Sequence, residues 1–235
     1  MTRLKGKLAF VTGSSRGVGQ QIALGLAQEG CDLIIHGRKA ENTQKTQELL
    51  KQYGVNVDVV EGELSSPEDI EKIVSTIKAK RQSVDILYNN AGVQAEWKDI
   101  WDFKISDFEH LLQNNFYSIV LLCQAFGKEM KEKGYGRIIN ITSGIKDTPH
   151  LTPYGVSKAA VDKFTEDLAA ELKGTGVLVN CLDPGWLRTD LGGPNAEHDV
   201  TTVLPGAIEL ALYDNDGPTG QWISAQELRL KSENK

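Results

Sequence analysis

The chain has 235 residues, of which 40% are hydrophobic and 25% are charged, the composition of a globular protein with a sizeable core. Its formal net charge of −6 argues against nucleic acid or an anionic membrane as the main partner. No apolar run approaches the ~20 residues of a membrane helix, so we expect no membrane association. Cys31, Cys123 and Cys181 lack metal-binding or redox spacing, which predicts buried thiols, no metal site and a cytoplasmic location.

Segments with the pattern of buried strands alternate with helical segments along the chain. The predicted strands are 8–12, 32–36, 56–61, 84–89, 137–142, 177–182 and 221–223. The predicted helices are 18–29, 40–53, 67–81, 106–132, 153–173 and 201–213. This alternation predicts an α/β fold, a doubly wound parallel sheet of about seven strands with helices on both faces. We expect one domain over 1–235, in which the polar residues 225–235 form a loose C-terminal tail.

The first predicted strand runs directly into Gly13-Ser14-Ser15-Arg16-Gly17-Val18-Gly19, and a helical segment follows. A strand, a glycine-rich turn and a helix together expose backbone N–H groups at a helix N-terminus, where they bind phosphate. The spacing is G-x-x-x-G-x-G and not the G-x-G-x-x-G fingerprint. Glycine still permits a tight turn and a close backbone approach to a pyrophosphate. The alternative is a loop that merely turns the chain.

Tyr154 and Lys158 lie four residues apart at the start of a predicted helix, so both side chains project from the same face. A phenol titrates near pH ~10 and exchanges protons poorly at neutrality. A cation held beside the phenol favours the phenolate and lowers its pKa, which suits acid–base catalysis. The pair alone is weak evidence, because chance supplies many Tyr-x-x-x-Lys matches.

These motifs and four others occur in the order typical of one family. The set comprises Thr12 to Gly19, Asn89-Asn90-Ala91-Gly92, Asn115, Ser143, Tyr154 with Lys158, and Asp183-Pro184-Gly185. The chain thereby resembles the short-chain dehydrogenase/reductase family over about residues 4 to 224. The resemblance implies a single Rossmann-type domain and an oxidoreductase that uses NAD(P).

The resemblance also implies catalytic roles. Tyr154 would be the general acid and base, and Lys158 would lower the pKa of Tyr154 and hold the nicotinamide ribose. Ser143 would orient and polarise the carbonyl group. Its neighbour Thr142 is the rival, but strand alternation lets only one of the two face the cleft, and the family pattern favours Ser143.

Asn115 matches the family's asparagine that anchors a water-linked proton relay. The alternative is an ordinary polar helix position, because the adjacent Asn114 leaves the register open.

Cofactor contacts follow from the same resemblance. The implied residues are Gly13, Ser15, Arg16, Gly17, Val18, Gly19, Arg38, Glu63, Leu64, Asn90, Ala91, Gly92, Tyr154, Lys158, Pro184, Gly185 and Thr189. Glu63 stands where an Asp usually contacts the adenine, which keeps the acceptor but changes its reach. For Thr189, near the expected position of the carboxamide, a cap of a helix or turn is the alternative.

The choice of cofactor depends on charge at the end of the second predicted strand. A carboxylate there binds the ribose 2′-hydroxyl and repels a 2′-phosphate. This chain has Gly37, Arg38 and Lys39 instead, and Arg16 in the glycine turn can supply a second cation. Guanidinium groups bind phosphate bidentately. We therefore expect NADP(H) to be preferred, with NAD(H) as the alternative.

The loops 93–101, 145–151 and 186–200 are expected to surround the substrate. Their apolar and aromatic residues suggest a largely uncharged ketone, aldehyde or secondary alcohol, although such residues serve packing as often as recognition. Trp97, His150 and Trp186 are the candidate contacts, and a surface histidine is the alternative for His150. The glycine-rich segment 190–205 resembles a lid over the substrate.

The leading function is therefore an NADP(H)-dependent carbonyl reductase. A redox sensor that binds NADP without turnover, or a sugar-nucleotide epimerase or dehydratase, would share part of the motif set. Members of the family that this chain resembles usually pair through two helices, here those near 106–132 and 153–173, so we expect a homodimer. A tetramer is the alternative, although the chain lacks the C-terminal Asp-Gly-Gly that packs into many family tetramers.

Overall fold

The structure, a computed structural model, describes residues 2–80 and 83–233. Its strands are β1 (Leu8–Val11), β2 (Asp32–Gly37), β3 (Val57–Glu61), β4 (Ile86–Asn89), β5 (Gly136–Ile141), β6 (Val177–Asp183), β7 (Leu187–Arg188), β8 (His198–Asp199) and β9 (Trp222–Ser224). Its α-helices are α1 (Gly17–Gln28), α2 (Gln44–Leu50), α3 (Pro67–Ala79), α4 (Ile105–Leu112), α5 (Ser118–Lys133), α6 (Thr152–Glu171), α7 (Gly206–Glu209) and α8 (Ala225–Glu233).

Within the described residues, seven strands form one sheet in the order β3-β2-β1-β4-β5-β6-β9. Every neighbouring pair is parallel, which confirms the predicted doubly wound α/β fold. The first three strands extend the sheet outward from β1 to β3. The chain then returns to the centre of the sheet, where β4 begins the other half of the sheet beside β1. Ligands bind at such a reversal, beyond the carboxyl ends of the strands.

Both faces of the sheet are buried, because successive side chains of a strand point to opposite sides. In β1, Phe10 belongs to one apolar cluster, whereas Ala9 and Val11 belong to the other. Phe10 meets Phe126 of α5 edge to face, with ring centroids 5.9 Å apart. Packing on two sides fixes the sheet rigidly and therefore fixes the positions of its strand ends.

The predicted helix over 106–132 is interrupted. A π-helical turn, Gln113–Tyr117, separates α4 from α5, and such turns concentrate at functional sites. The predicted helix over 40–53 is α2 with a 3₁₀ turn at each end, Ala40–Thr43 and Lys51–Tyr53. Hydrophobic periodicity detects a helical segment but does not reveal where its backbone hydrogen bonding changes from α-helical to π-helical or 3₁₀-helical.

The prediction of a helix over 201–213 is wrong in detail. A 3₁₀ turn, Val200–Val203, leads to an extended Leu204 with φ −92° and ψ 149°, and α7 begins only at Gly206. The reason is Pro205, which lacks an N–H and disfavours the helical conformation of the residue before it.

The C-terminal segment predicted to be a loose tail forms α8 up to residue 233, and residues 234–235 lie outside the described part. Ala225 is fully buried, and Leu228 packs on the apolar cluster beside α1. The Gln226 side chain donates to the Pro184 carbonyl at 3.0 Å. The overall polarity of the segment concealed two apolar residues at i and i+3, which are enough to dock one helix face.

The prediction of buried thiols is confirmed for all three cysteines. Burial raises the pKa of both Cys31 and Cys123 to about 12, which makes these thiols inert. No described helix is long and apolar enough to cross a membrane. Among the described residues, no group of three His, Cys, Asp or Glu side chains is placed to hold a metal ion.

Arg137 ties the amino-terminal edge of the sheet to a distant loop. It is 1% exposed and donates to the carbonyl oxygens of Tyr213, at 2.7 Å, and Gly176, at 3.0 Å, and to the Asn215 side chain at 2.8 Å. Burial lowers the pKa of its guanidinium. These acceptors are half-buried or exposed, and Arg137 supplies each of them with a donor.

Replacing Arg137 by Met should lower the free energy of unfolding by about 3 kcal/mol, because the hydrogen bonds that a buried side chain makes to several acceptors are lost together. Urea unfolding of the two proteins measures this loss. Lys131→Met is the matched control, since its ion pair with Glu171 is exposed and exposed pairs contribute ~0–1 kcal/mol. Equal losses in both variants would contradict the structural role of Arg137.

Candidate active site

A cleft of about 1360 Å³ lies at the carboxyl edge of the sheet. It is lined by almost all of the residues that the sequence singled out. These are Gly13, Ser15, Arg16, Gly17, Val18, Gly19, Arg38, Glu63, Leu64, Asn90, Ala91, Gly92, Trp97, Ser143, Tyr154, Lys158, Pro184, Gly185, Trp186 and Thr189. Asn115 and His150 lie behind the lining.

The glycine turn connects β1 to α1, and its shape requires glycine. Gly13 and Gly17 adopt positive φ angles of 62° and 59°, which other residues rarely adopt. A Cβ on Gly19 would lie 2.4 Å from the carbonyl oxygen of Gly13. The turn is therefore as tight as the glycine pattern predicted.

His36 holds the turn from below, a role that sequence reasoning missed. Its Nδ1 accepts the Gly13 N–H at 3.0 Å, and its Nε2 lies 3.1 Å from the Gly62 carbonyl oxygen. This pair of contacts fits a neutral ring that accepts at Nδ1 and donates at Nε2. Burial lowers the pKa of His36. The position of His36 at the end of β2 was the available sequence signal for this role, because a residue at a strand end beside the glycine turn must contact that turn.

The N-terminus of α1 faces the cleft with its backbone N–H groups uncapped. Arg16 occupies the cap position without a side-chain hydrogen bond to the helix, and the first turn of this described helix has no acidic residue. The positive end of the helix dipole therefore has no side-chain anion to neutralise it. This donor set fits a phosphate group.

The floor of the cleft is fixed by Thr12, which begins the glycine motif but whose supporting role the sequence did not predict. Its hydroxyl accepts the N–H groups of Asn90 at 2.9 Å and Ala91 at 3.0 Å and donates to the Tyr88 carbonyl at 3.2 Å. The Asn90 side chain donates in return to the Thr12 carbonyl. Asn89 donates to Asn140 of β5 at 2.8 Å, which joins the carboxyl ends of two neighbouring strands.

Tyr154 and Lys158 project from the first turns of α6 into the cleft. The Lys158 Nζ lies 5.6 Å from the centre of the Tyr154 ring and donates to the Ile141 carbonyl at 2.8 Å. Burial lowers the pKa of Lys158 to about 8. Burial raises the pKa of Tyr154 to about 12, against a hydrogen bond with Ser143 that lowers it. Desolvation is the largest cause, so the net shift of the tyrosine pKa is upward and not the lowering expected from Lys158.

Ser143, and not Thr142, lies beside the tyrosine. The Thr142 hydroxyl donates to Asp162 on α6, whereas Ser143 forms a hydrogen bond with Tyr154 and accepts the Ile145 N–H at 3.2 Å. The alternation of side chains at the end of β5 separates the two hydroxyl groups as expected.

The π-helical turn after α4 places Asn115 in the interior, fully buried. Its amide accepts the Val93 N–H at 2.8 Å and donates to the Val93 carbonyl at 2.9 Å and to Ser157 at 3.1 Å. Asn114 instead lines the cleft and donates back to the His110 carbonyl. The register question is thus decided geometrically, and the relay role of Asn115 stays a prediction.

The outer walls of the cleft are aromatic. Trp97 stacks on His150 with ring centroids 4.9 Å apart. His150 therefore supports the wall from behind, whereas the sequence predicted that it contacts the substrate. Trp186 lines the cleft and donates from Nε1 to the Gly192 carbonyl at 2.8 Å. Thr189 accepts the Gly192 N–H at 3.0 Å, which closes the predicted lid segment on itself.

The lid segment also contacts the glycine turn. Arg16 Nε lies 3.0 Å from a carboxylate oxygen of Asp190, and both side chains are largely exposed. Arg38 is exposed and lines the cleft at the end of β2, near Glu63 and Leu64. Both guanidinium groups therefore line the cleft, and that of Arg16 is held against the lid by Asp190.

One class of nucleotide-binding dehydrogenases is defined by a doubly wound parallel sheet whose cleft combines a glycine turn with a Ser-Tyr-Lys set. A protein-family model described as short chain dehydrogenase matches residues 7–199. The chain belongs to this family and is an oxidoreductase.

Curated relatives span much of the chain. The 3-oxoacyl-(acyl-carrier-protein) reductase of Aquifex aeolicus is 34% identical over 96% of this chain and 88% of its own length. Gluconate 5-dehydrogenase of Gluconobacter oxydans is 30% identical over 96% of this chain and 85% of its own.

Solved structures agree in fold. A gluconate 5-dehydrogenase of Burkholderia cenocepacia, in complex with NADP and tartrate, superposes with a TM-score of 0.83 at 27% identity, over 95% of this chain and 94% of its own. An NAD⁺-bound xylitol dehydrogenase gives a TM-score of 0.84 at 25% identity, over 94% and 98% of the two chains.

Lowering the pH should destabilise the protein through His36. Its folded-state pKa is lowered from 6.5, so its stabilising contribution is present above pH 6.5 and is lost as the pH falls below that value. At pH 5.5 the loss reaches at most about 1.4 kcal/mol. Urea unfolding at pH 7.5 and 5.5 measures it. The variant His36→Gln should show a smaller pH dependence, and an equal dependence would contradict this account.

Proposed function

We propose that this protein is an NADP(H)-dependent reductase of small to medium, largely uncharged ketones or aldehydes. The observation that carries the proposal is one cleft that joins an uncapped helix N-terminus to Ser143, Tyr154 and Lys158. A phosphate-binding end and a proton-donating end are the two parts that such a reduction needs.

The chain's own residues fit a dinucleotide with a 2′-phosphate. The N–H groups at the start of α1 suit the pyrophosphate, and the guanidinium groups of Arg16 and Arg38 suit the 2′-phosphate. When bound, the nicotinamide group supplies the hydride that the carbonyl carbon accepts. Relatives of this family bind NADP in one case and NAD⁺ in another, so the preference of this chain depends on its two arginines.

The protonation states of the site favour reduction. A pKa of about 12 keeps Tyr154 protonated at neutral pH, so its phenol can donate the proton that the carbonyl oxygen gains. When the carbonyl oxygen binds, it replaces the hydrogen bond between Tyr154 and Ser143, and the Ser143 hydroxyl donates a second hydrogen bond to that oxygen as negative charge builds on it. The nearby Lys158 ammonium stabilises the phenolate left behind. The reverse reaction would need the phenolate at the outset, which burial disfavours.

Exposed apolar side chains support the proposal of a homodimer through the helical face. Ile105 of α4 and Val156 of α6 are 73% and 43% exposed, and Tyr117 beside α5 is 44% exposed. Apolar groups on neighbouring helices are typical of an interface between copies. A cytoplasmic location stays a prediction.

Replacing Tyr154 by Phe should lower kcat by about 10³-fold, because the ring remains and only the proton donor is lost. Oxidation of NADPH with a panel of neutral ketones and aldehydes, followed by absorbance, measures the rate. The dissociation constant for NADPH should stay within about threefold. Retained turnover in the variant would defeat the mechanism. Tight NADPH binding without turnover by the unaltered protein would favour a redox sensor instead.

Replacing Arg38 by Gln should raise the KM for NADPH by at least tenfold, about 1.4 kcal/mol, and leave the KM for NADH nearly unchanged. The physical reason is the loss of a charge that only the 2′-phosphate uses. Lys39→Gln is the control, since Lys39 is paired with Glu41. A wild-type preference for NADH would overturn the choice of cofactor.

Replacing Asp190 by Asn should tighten NADPH binding by about two- to fivefold, because it frees Arg16 from its exposed ion pair and such pairs are worth only ~0–1 kcal/mol. Fluorescence titration of the cofactor measures the effect. Asp199→Asn, which removes a carboxylate beside Arg188 in the same lid, should leave the affinity unchanged. Weaker binding in Asp190→Asn would contradict competition for Arg16.

A further inference from the structure

A carboxylate lies inside the cleft beside the catalytic set, and the mechanism above does not use it. Asp183 is the last residue of β6 and lines the cleft. Its Oδ1 accepts the Gly185 N–H at 3.1 Å, and the Gly144 N–H donates to it as well. A Cβ on Gly144 would lie 2.9 Å from Asp183 Oδ2, so the carboxylate packs directly against the residue after Ser143.

The charge of Asp183 reaches the groups that handle the proton. Burial dominates the pKa shifts of both Tyr154 and Lys158, and the negative charge of Asp183 acts on each of them in the upward direction. Burial raises the pKa of Asp183 itself, while the two backbone N–H groups and the Lys158 ammonium favour its ionised form. A substrate carbonyl held by Tyr154 and Ser143 therefore lies within the field of this carboxylate.

The substrate end of the cleft offers no free cation to balance this charge among the described lining residues. Arg16 pairs with Asp190, and Arg188 binds Asp199 and lid carbonyl groups. Arg38 stands at the other end, and Lys158 donates to the Ile141 carbonyl beneath the tyrosine. The remaining walls are apolar or neutral. They include Val93, Trp97, Ile145, Leu151, Trp186 and Leu191.

A carboxylate on the substrate would have to enter an apolar space next to a like charge. Burying an unpaired ion is costly, and a neighbouring charge of the same sign adds to that cost. A neutral ester or alkyl group in the same place meets apolar walls and suffers neither penalty. Specificity can be built by such a repulsive element as well as by attraction.

We propose that Asp183 is a specificity-determining residue that excludes carboxylate-bearing substrates, so that the protein reduces neutral carbonyl compounds and not keto acids. This inference rests on the proposed reductase function and names its substrate class.

The test compares a neutral ester with its free acid, so that only the charge near the carbonyl changes. Reduction of methyl benzoylformate and of benzoylformate by NADPH gives a ratio of the two kcat/KM values. We expect the wild-type ratio to be at least 30, and Asp183→Asn to lower it at least tenfold, about 1.4 kcal/mol, mainly through a lower KM for the acid. A ratio cancels any general change in the acidity of Tyr154.

Two further variants separate charge from structure. Asp183→Glu keeps the charge and should keep a high ratio, whereas Asp183→Asn keeps an acceptor for the Gly185 N–H. Asp162→Asn removes a carboxylate that binds Thr142 and does not line the cleft, so its ratio should equal that of the wild type. Thermal unfolding and NADPH titration show that each variant is folded.

The outcomes are distinct. If the wild type reduces the ester and the acid equally well, or if Asp183→Asn leaves the ratio unchanged, the inference about Asp183 is wrong and the reductase function stands. If the wild type reduces neither this ester nor the pairs formed by ethyl acetoacetate and ethyl levulinate with their acids, the proposed function fails and the inference fails with it.

Discussion

The hydroxyl group of Thr12 holds together the two strands between which the cleft opens. It bonds to one carbonyl and two N–H groups of the segment that ends β4. These contacts fix the distance between the glycine turn and the Asn90–Gly92 loop, at the point where the strand order reverses. Everything that lines the cleft depends on this junction, because the turn, the loop and the β5 end are carried by adjacent strands.

Burial decides the chemistry of the site more than the proximity of charges does. Tyr154 and Lys158 are both removed from water by the packing of α6 on the sheet, and each pKa moves in the direction that disfavours its charged form. A neutral phenol is the form that a carbonyl reductase requires. Two backbone N–H groups hold the Asp183 carboxylate in this low-dielectric environment. A single charge there acts strongly on any substrate that enters the cleft.

The residues that form the cleft are supported by other side chains that have no part in the reaction. His36 holds Gly13, Gln226 holds Pro184, and His150 supports Trp97. Each contact joins segments far apart in the chain, so that the loops of the cleft rest on a second layer of side chains. Such support restricts the motion of the loops that surround the substrate.

The sequence by itself determined the α/β alternation, the glycine turn and the Tyr-Lys pair, because these depend on local periodicity and on short spacings within one turn or helix. Ser143, on the loop after β5, was identified through the family resemblance. It failed where a feature depends on distant partners. The π-helical turn that buries Asn115, the helix formed by 225–233 and the supporting roles of Thr12 and His36 all required the packed structure. The sign of the Tyr154 pKa shift was decided the same way, since desolvation is a property of the folded environment and not of the neighbouring residues in sequence.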